Sequence, residues 1–226
     1  MAHARRRMSL LFLLATGFWL LASSSGCQLI GIGAQALPPP TIVPMYKGFA
    51  GQSVGVMVWA DRGMRIEWEF LQLDLANVIQ TNLTQAANSK SKVKEFKGAT
   101  FPVLPRSIIR FQKDHPEIDG QPIEEVAPRL GVSRLIYVEV EEFSTRPDGG
   151  VELFRGDASA TLRVVEIARD GTAKVVYEEN DVRASYPRGA PKEGRPTIGD
   201  VRTYQGLVET LGIEIAKRFV PHAEEE

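Results

Sequence analysis

Thiols are almost missing from this 226-residue chain, in which Cys27 is the only cysteine. An internal disulfide and a cysteine-built metal site are therefore excluded, and the core has to hold by packing. Imidazoles are nearly as scarce. Of three histidines, His3 precedes the first apolar run, which leaves His115 beside Pro116 and His222 near the carboxyl end as ring bases. Positive charge is not in excess either, with 27 basic against 28 acidic side chains; a nucleic-acid binder would be basic overall. Long uncharged apolar stretches occur in one place only, residues 8–22 (MSLLFLLATGFWLLA), directly behind Arg5, Arg6 and Arg7. No internal repeat is visible.

A basic start followed by a short apolar run is the layout of an export signal. As a helix these residues would rise about 22 Å, short of the roughly 30 Å hydrocarbon core of a bilayer. Ser24, Ser25 and Gly26 then lead into Cys27. This arrangement resembles the lipobox of bacterial lipoproteins, with Ser24 standing where leucine is usual. The resemblance implies that residues 1–26 are a signal peptide, that the Cys27 thiol carries a diacylglyceryl group, and that the new amino terminus is acylated. The bilayer is then the first expected partner, since two or more acyl chains hold firmly where one does not. By the same resemblance, Gln28 in place of aspartate points to the outer membrane, on its periplasmic side. Two other readings stay open. Cleavage after Ala34-Gln35-Ala36 would release a soluble exported binding protein, and an uncleaved run would remain as an anchor.

Removing residues 1–26 takes away three arginines and no acid, leaving 200 residues with 24 basic and 28 acidic side chains, a net charge of −4. That length suits one domain of ordinary size. Apolar residues at 43% and charged residues at 24% fit a globular domain.

Residues 27–52 read as a lipid-anchored tether, because Pro38, Pro39 and Pro40 favour extended backbone and the glycines and alanines around them supply no periodic apolar face. A single envelope domain is expected over residues 53–220, with an acidic tail at 221–226. It opens with an apolar strand, 53–60. A long helix, 66–87, is expected next, because Trp68, Leu71, Leu75, Ile79 and Leu83 recur at helical spacing. Val93 to Phe96 reads as a short edge strand flanked by lysines. Helices are expected at 105–114 and 122–130, the second closed by Gly131. Strands at 135–143, 158–164 and 173–186 alternate apolar and polar residues, and Asp170-Gly171 closes a hairpin between the last two. A Pro/Gly-rich loop, 187–199, precedes a final helix striped by Tyr204, Leu207, Val208, Leu211, Ile215 and Phe219. The expected class is α+β, with amphipathic helices packed on one face of a mostly antiparallel sheet of four to five strands.

The run GVSRLIYVEV, followed by GDASATLRVVEI and DGTAKVVYEEN, resembles the periplasmic domain shared by the TolB amino-terminal region and the curli-secretion lipoprotein family. The resemblance implies a non-enzymatic envelope assembly factor, secretion component or synthase activator. Residues 144–157 (STRPDGGVELFRGD) are too short and too polar to supply the hairpins of a membrane barrel, so no pore is expected.

Several motifs match a pattern without its physics. Gly51-Gln52-Ser53-Val54-Gly55 has the spelling of a nucleophile elbow, but Ser53 opens a strand and no histidine is placed nearby in sequence. Gly31-Ile32-Gly33-Ala34-Gln35-Ala36 spells a dinucleotide loop, yet no strand precedes it and Pro38 follows. Asn82-Leu83-Thr84 falls inside a helix. Asp114, His115, Glu117 and Asp119 carry ligand-type groups around Pro116, which spoils a helical metal site, and a solvated loop is the expectation. Glu139 and Glu141 share a strand face and would form half of a glycosidase carboxylate pair only if burial raised a pKa, so a solubilising outer face is expected instead. No catalytic, cofactor or metal residue is therefore assigned. Candidate contacts for an envelope protein partner are Lys90, Lys92, Lys94 and Lys97 beside the edge strand, with Arg188, Lys192 and Arg195 in the loop before the last helix. The function expected is that of a non-catalytic binding or assembly accessory subunit, with a carboxylate-dependent cell-wall enzyme as the alternative.

Overall fold

Strand alternation decides which side chains turn inward, and four strands use it to build one sheet. The computed structural model describes residues 41–89, 93–147, 153–196 and 199–223. Contacts divide the chain into a main unit, Val43–His222, and a second made of Met1–Ile42 with Ala223–Glu226; the four-stranded sheet and its helices lie within the main unit. Strands β1 (Val54–Ala60), β2 (Arg134–Ser144), β3 (Gly156–Ile167) and β4 (Ala173–Tyr186) lie side by side in sequence order. β1 and β2 are parallel, Val54 facing Arg134 and Ala60 facing Val140, while β2–β3 and β3–β4 are antiparallel. The class is thus α+β.

The parallel pair needs a crossover, which carries α1 (Arg62–Glu67), α2 (Leu71–Asn88), α3 (Pro105–Asp114) and the single turn α4 (Ile123–Val126). The final helix, α5 (Asp200–Lys217), follows β4. α2 and α5 cover one sheet face. Val56, Val58, Ile136, Val138, Leu162 and Val164 meet Leu75, Ile79, Leu207 and Leu211 there. The other face is half covered: Ile108 of α3, Ile118 of the 3-10 turn Pro116–Gly120 and Val126 of α4 bury Met57, Leu135 and Val165. Packing of the two long helices on one face follows the sequence expectation, and the short crossover segments add cover on the second face. Beyond that cover the second face is polar. Arg163 donates to Glu139 at 2.9 Å and to Glu178 at 2.7 Å, and Thr161 donates to Glu141 at 2.5 Å.

Three expectations are corrected. The helix expected at 66–87 is two helices: α1 starts at the Asp61 carboxylate, which accepts from the Met64 amide at 2.9 Å, and closes at Trp68, and α2 begins at Leu71. The break turns the Trp68 ring against Phe143 and Tyr204. The strand expected at Val93 to Phe96 is a 3-10 turn, Lys94–Phe96, wound so that Phe96 is fully buried against Phe49; Ser53, just before β1, bridges Thr100 instead. The last part of the expected tether is folded. Phe49 is fully buried, Tyr46 packs on it at 4.9 Å, and the Met45 amide donates to the Arg218 carbonyl at 2.9 Å. Aromatic anchors at 46 and 49 carry no helical or strand period, so patterning could not reveal them.

Edges and close approaches complete the frame. The carbonyl of Val58, on the outer edge of β1, accepts from Gln72 at 2.8 Å and from the buried Gln112 at 3.0 Å. At the other edge β4 carries Lys174, Glu178, Asp181 and Arg183, and Asp181 adopts a left-handed φ of 62° where the register with β3 shifts. Gly212 lets α5 lie against α2, since a Cβ there would fall 2.4 Å from Val78 Cγ1.

Candidate docking surface

Beyond the end of β1, α1 and the turn after it expose apolar side chains that no periodic stripe accounts for. Ile66 is 73% exposed, Phe70 60%, and Val201 at the start of α5 71%. Beside Phe70 and Val201, Trp68 stacks on Tyr204 at 5.6 Å, and both rings pack edge-on against Phe143. Trp68, Phe70, Val201 and Tyr204 line a hollow of about 370 Å³, and its charged lining is acidic: Glu67, Glu69 and Asp200. The rings are held in place. Tyr204 donates to Asp74 of α2 at 2.9 Å, and burial, followed by that bond to a carboxylate, raises its pKa so that it stays a neutral donor. Asp200 accepts from Thr145 at 2.6 Å and pairs with Arg146, whose guanidinium holds the carboxyl below the usual carboxylate range. This joins the start of α5 to the end of β2. Isolated exposed apolar residues are ordinary, whereas several gathered over an aromatic floor mark an interaction site.

The residues singled out from sequence are dispersed. Cys27, Lys90 and Lys92 lie outside the described residues. Lys94 and Lys97 are exposed around the 3-10 turn, at the opposite end of β1 from Phe70. Arg188 reaches Glu214 of α5 at 3.0 Å. Lys192 is exposed, and the backbone of Arg195 exchanges two hydrogen bonds of 3.0 Å with Phe154, which straps the loop to the body. Ser53 and Ser133 are hydrogen-bonded to each other, with 3.2 Å between the hydroxyls and Gln52 accepting from Ser133 at 2.8 Å. Asp119 accepts from Arg65 at 2.5 Å and from the Trp59 indole at 3.0 Å, while Glu117 pairs with His115 at 3.1 Å. Among the described residues no group of three His, Cys, Asp or Glu could hold a metal ion, and no helix is long and apolar enough to cross a membrane. Sequence reasoning missed the patch. The available signal was an aromatic outside the helical stripe, Phe70, beside Ile66 and next to two glutamates.

No protein-family model and no curated protein matches the chain. Solved structures similar to it include the PelC dodecamer from Paraburkholderia phytofirmans, at 10% identity and a TM-score of 0.39 over 79% of this chain and 93% of that one. The hypothetical protein CT253 from Chlamydia trachomatis is 18% identical, with a TM-score of 0.38 over 74% of this chain and 95% of that one. The lipoprotein GNA1162 from Neisseria meningitidis is 13% identical, with a TM-score of 0.32 over 61% of this chain and 85% of that one.

Proposed function

We propose that the chain is an envelope lipoprotein, anchored through acylated Cys27 to the periplasmic side of the outer membrane. Its α+β unit acts by binding, as an accessory subunit of an envelope assembly, in keeping with the resemblance to the TolB and curli-secretion group. The observation that carries the binding reading is the exposed pair Phe70 and Val201, which line one hollow with the stacked Trp68 and Tyr204. It suits a protein partner that presents apolar side chains flanked by basic ones, given Glu67 and Glu69 around the hollow. Engagement of the chemistry-bearing groups in structural bonds supports action without catalysis. Glu139 and Glu178 hold Arg163, Ser53 is bonded to Ser133, and His115 faces Glu117.

Two measurements test this. Growth with labelled fatty acid and mass analysis of the amino terminus is expected to place acyl chains on Cys27; an unmodified peptide beginning at Leu37 would overturn the anchor. Replacing Phe70→Asp together with Val201→Asp is expected to abolish co-purification of the assembly from membranes while the circular dichroism spectrum is unchanged. Retained co-purification would overturn the role of the surface.

A further inference from the structure

The main unit begins at Val43, 16 positions after Cys27. Fully extended, that stretch reaches at most about 55 Å, so an anchor at Cys27 would keep this end of the unit close to the bilayer. The chain enters with apolar side chains turned outward. Pro44 is buried, while Val43 and Met45 on either side of it are 66% and 67% exposed. The backbone that carries them is fixed, since the Met45 amide donates to the Arg218 carbonyl at 2.9 Å and Tyr46 packs on Phe49. Phe49 stacks in turn on Phe96, and the Gly51 amide donates to the Lys97 carbonyl at 2.9 Å. The entering loop and the 3-10 turn therefore form one surface. Ser53 accepts from the Ser133 amide and Ser133 from the Ile167 amide, both at 3.0 Å, which brings the β3–β4 turn to the same end.

Basic side chains outnumber acidic ones there. Lys47, Lys94, Lys97 and Arg169 are exposed and form no ion pair with any described residue. The acids are Glu95, half-buried, Asp170, which accepts from the Thr172 amide at 3.0 Å, and Glu166, which pairs with Arg134 at 3.3 Å and Lys174 at 4.0 Å. Farther in, Glu179 and Glu214 hold Arg218 and Lys217.

We propose that this end of the main unit lies on an anionic phospholipid surface. Val43 and Met45 enter the headgroup region, and the four unpaired basic side chains meet lipid phosphates. The inference rests on the lipoprotein reading for the presence of a bilayer, and adds a contact made by the folded unit itself. Apolar side chains ringed by basic ones suit an interfacial contact, and each basic group near an anionic surface raises partition about fivefold. A tether raises the local concentration, so a weak contact suffices. The contact also sets orientation. The seven residues of β1 span roughly 20 Å, and the Phe70 surface follows its far end, so that surface would face away from the lipid and towards a partner.

The test uses the mature chain, residues 27–226, with Cys27→Ser, so that no acyl chain contributes. It is sedimented with vesicles of phosphatidylcholine alone, or of two parts phosphatidylcholine to one of phosphatidylglycerol. Binding to the mixed vesicles and not to the neutral ones is expected, weakening as salt is raised. Lys97→Glu is expected to cut binding by more than about tenfold, and Met45→Asp by about tenfold. Lys113→Glu is the control. It changes net charge equally, but Lys113 is exposed beside Gln112, whose side chain bonds the Val58 carbonyl near the far end of β1, and it is expected to bind like the parent. All three side chains are exposed, so circular dichroism is expected to be unchanged. No binding to the mixed vesicles, or equal losses from Lys97→Glu and Lys113→Glu, would overturn the contact. Binding that Met45→Asp leaves intact would mean an anion site without entry into the bilayer, and would overturn it too. Acylation is read separately, by mass in cells, so the anchor and this contact stand or fall apart.

Discussion

At the scale of single residues, Asp200 shows how one carboxylate ties a helix to a sheet. Arg146 and Thr145 hold its pKa below the ordinary value, so folding favours the ionised form. That stabilisation is complete at neutral pH. It fades as the pH falls below the unfolded carboxyl value of about 4, and is gone once the pH passes the lower folded value. Asp200→Asn is therefore expected to be less stable than the parent at pH 7, with the difference closing on acidification, as urea titrations across that range would show. Side-chain roles of this kind are partly legible in the sequence. The pattern around Ser53 puts it at the opening of a strand, and its bond to Ser133, 80 positions away, is consistent with that. Phe70 is legible only as an aromatic outside the stripe, because apolar periodicity identifies residues that face a core and is silent on those that face outward.

At the scale of elements, Gly212 is where α5 passes close against α2. An alanine there meets Val78, and overpacking of this kind costs about 1–3 kcal/mol. Gly212→Ala is expected to lower the urea midpoint by a corresponding amount while leaving far-ultraviolet helicity in place. The strands and the last helix can be read from sequence because burial on one face imposes a period of two or of 3.6. The break between α1 and α2 cannot. Residues on both sides of it keep the same apolar phase, and only the Trp68 ring, packed under Tyr204, shows why the chain turns. The Lys94–Phe96 turn escapes sequence reading for a related reason: alternation over four residues does not distinguish a strand from a turn held by one buried ring, here Phe96.

At the scale of the whole molecule, the boundary of the folded unit falls before Tyr46 and Phe49 rather than after them. A chain lacking residues 1–42 is expected to unfold cooperatively near the parent midpoint. One lacking residues 1–52 also loses the Phe49 ring, and removal of a buried phenylalanine costs about 3–5 kcal/mol, so its thermal midpoint is expected to fall sharply. Calorimetry of the two truncations would decide. The global class is legible because it is the sum of many periodic segments, whereas the candidate surface depends on where a loop and two helix ends converge. The charged outer strand β4, with Asp181 forced into a left-handed bend, has a bearing on life at high density. Copies held on a membrane by the proposed anchor would collide constantly, and an open, flat strand of 14 residues would invite them to zipper edge to edge into an insoluble ribbon. Bent and charged, that flank repels such growth and leaves encounters to be decided elsewhere on the surface.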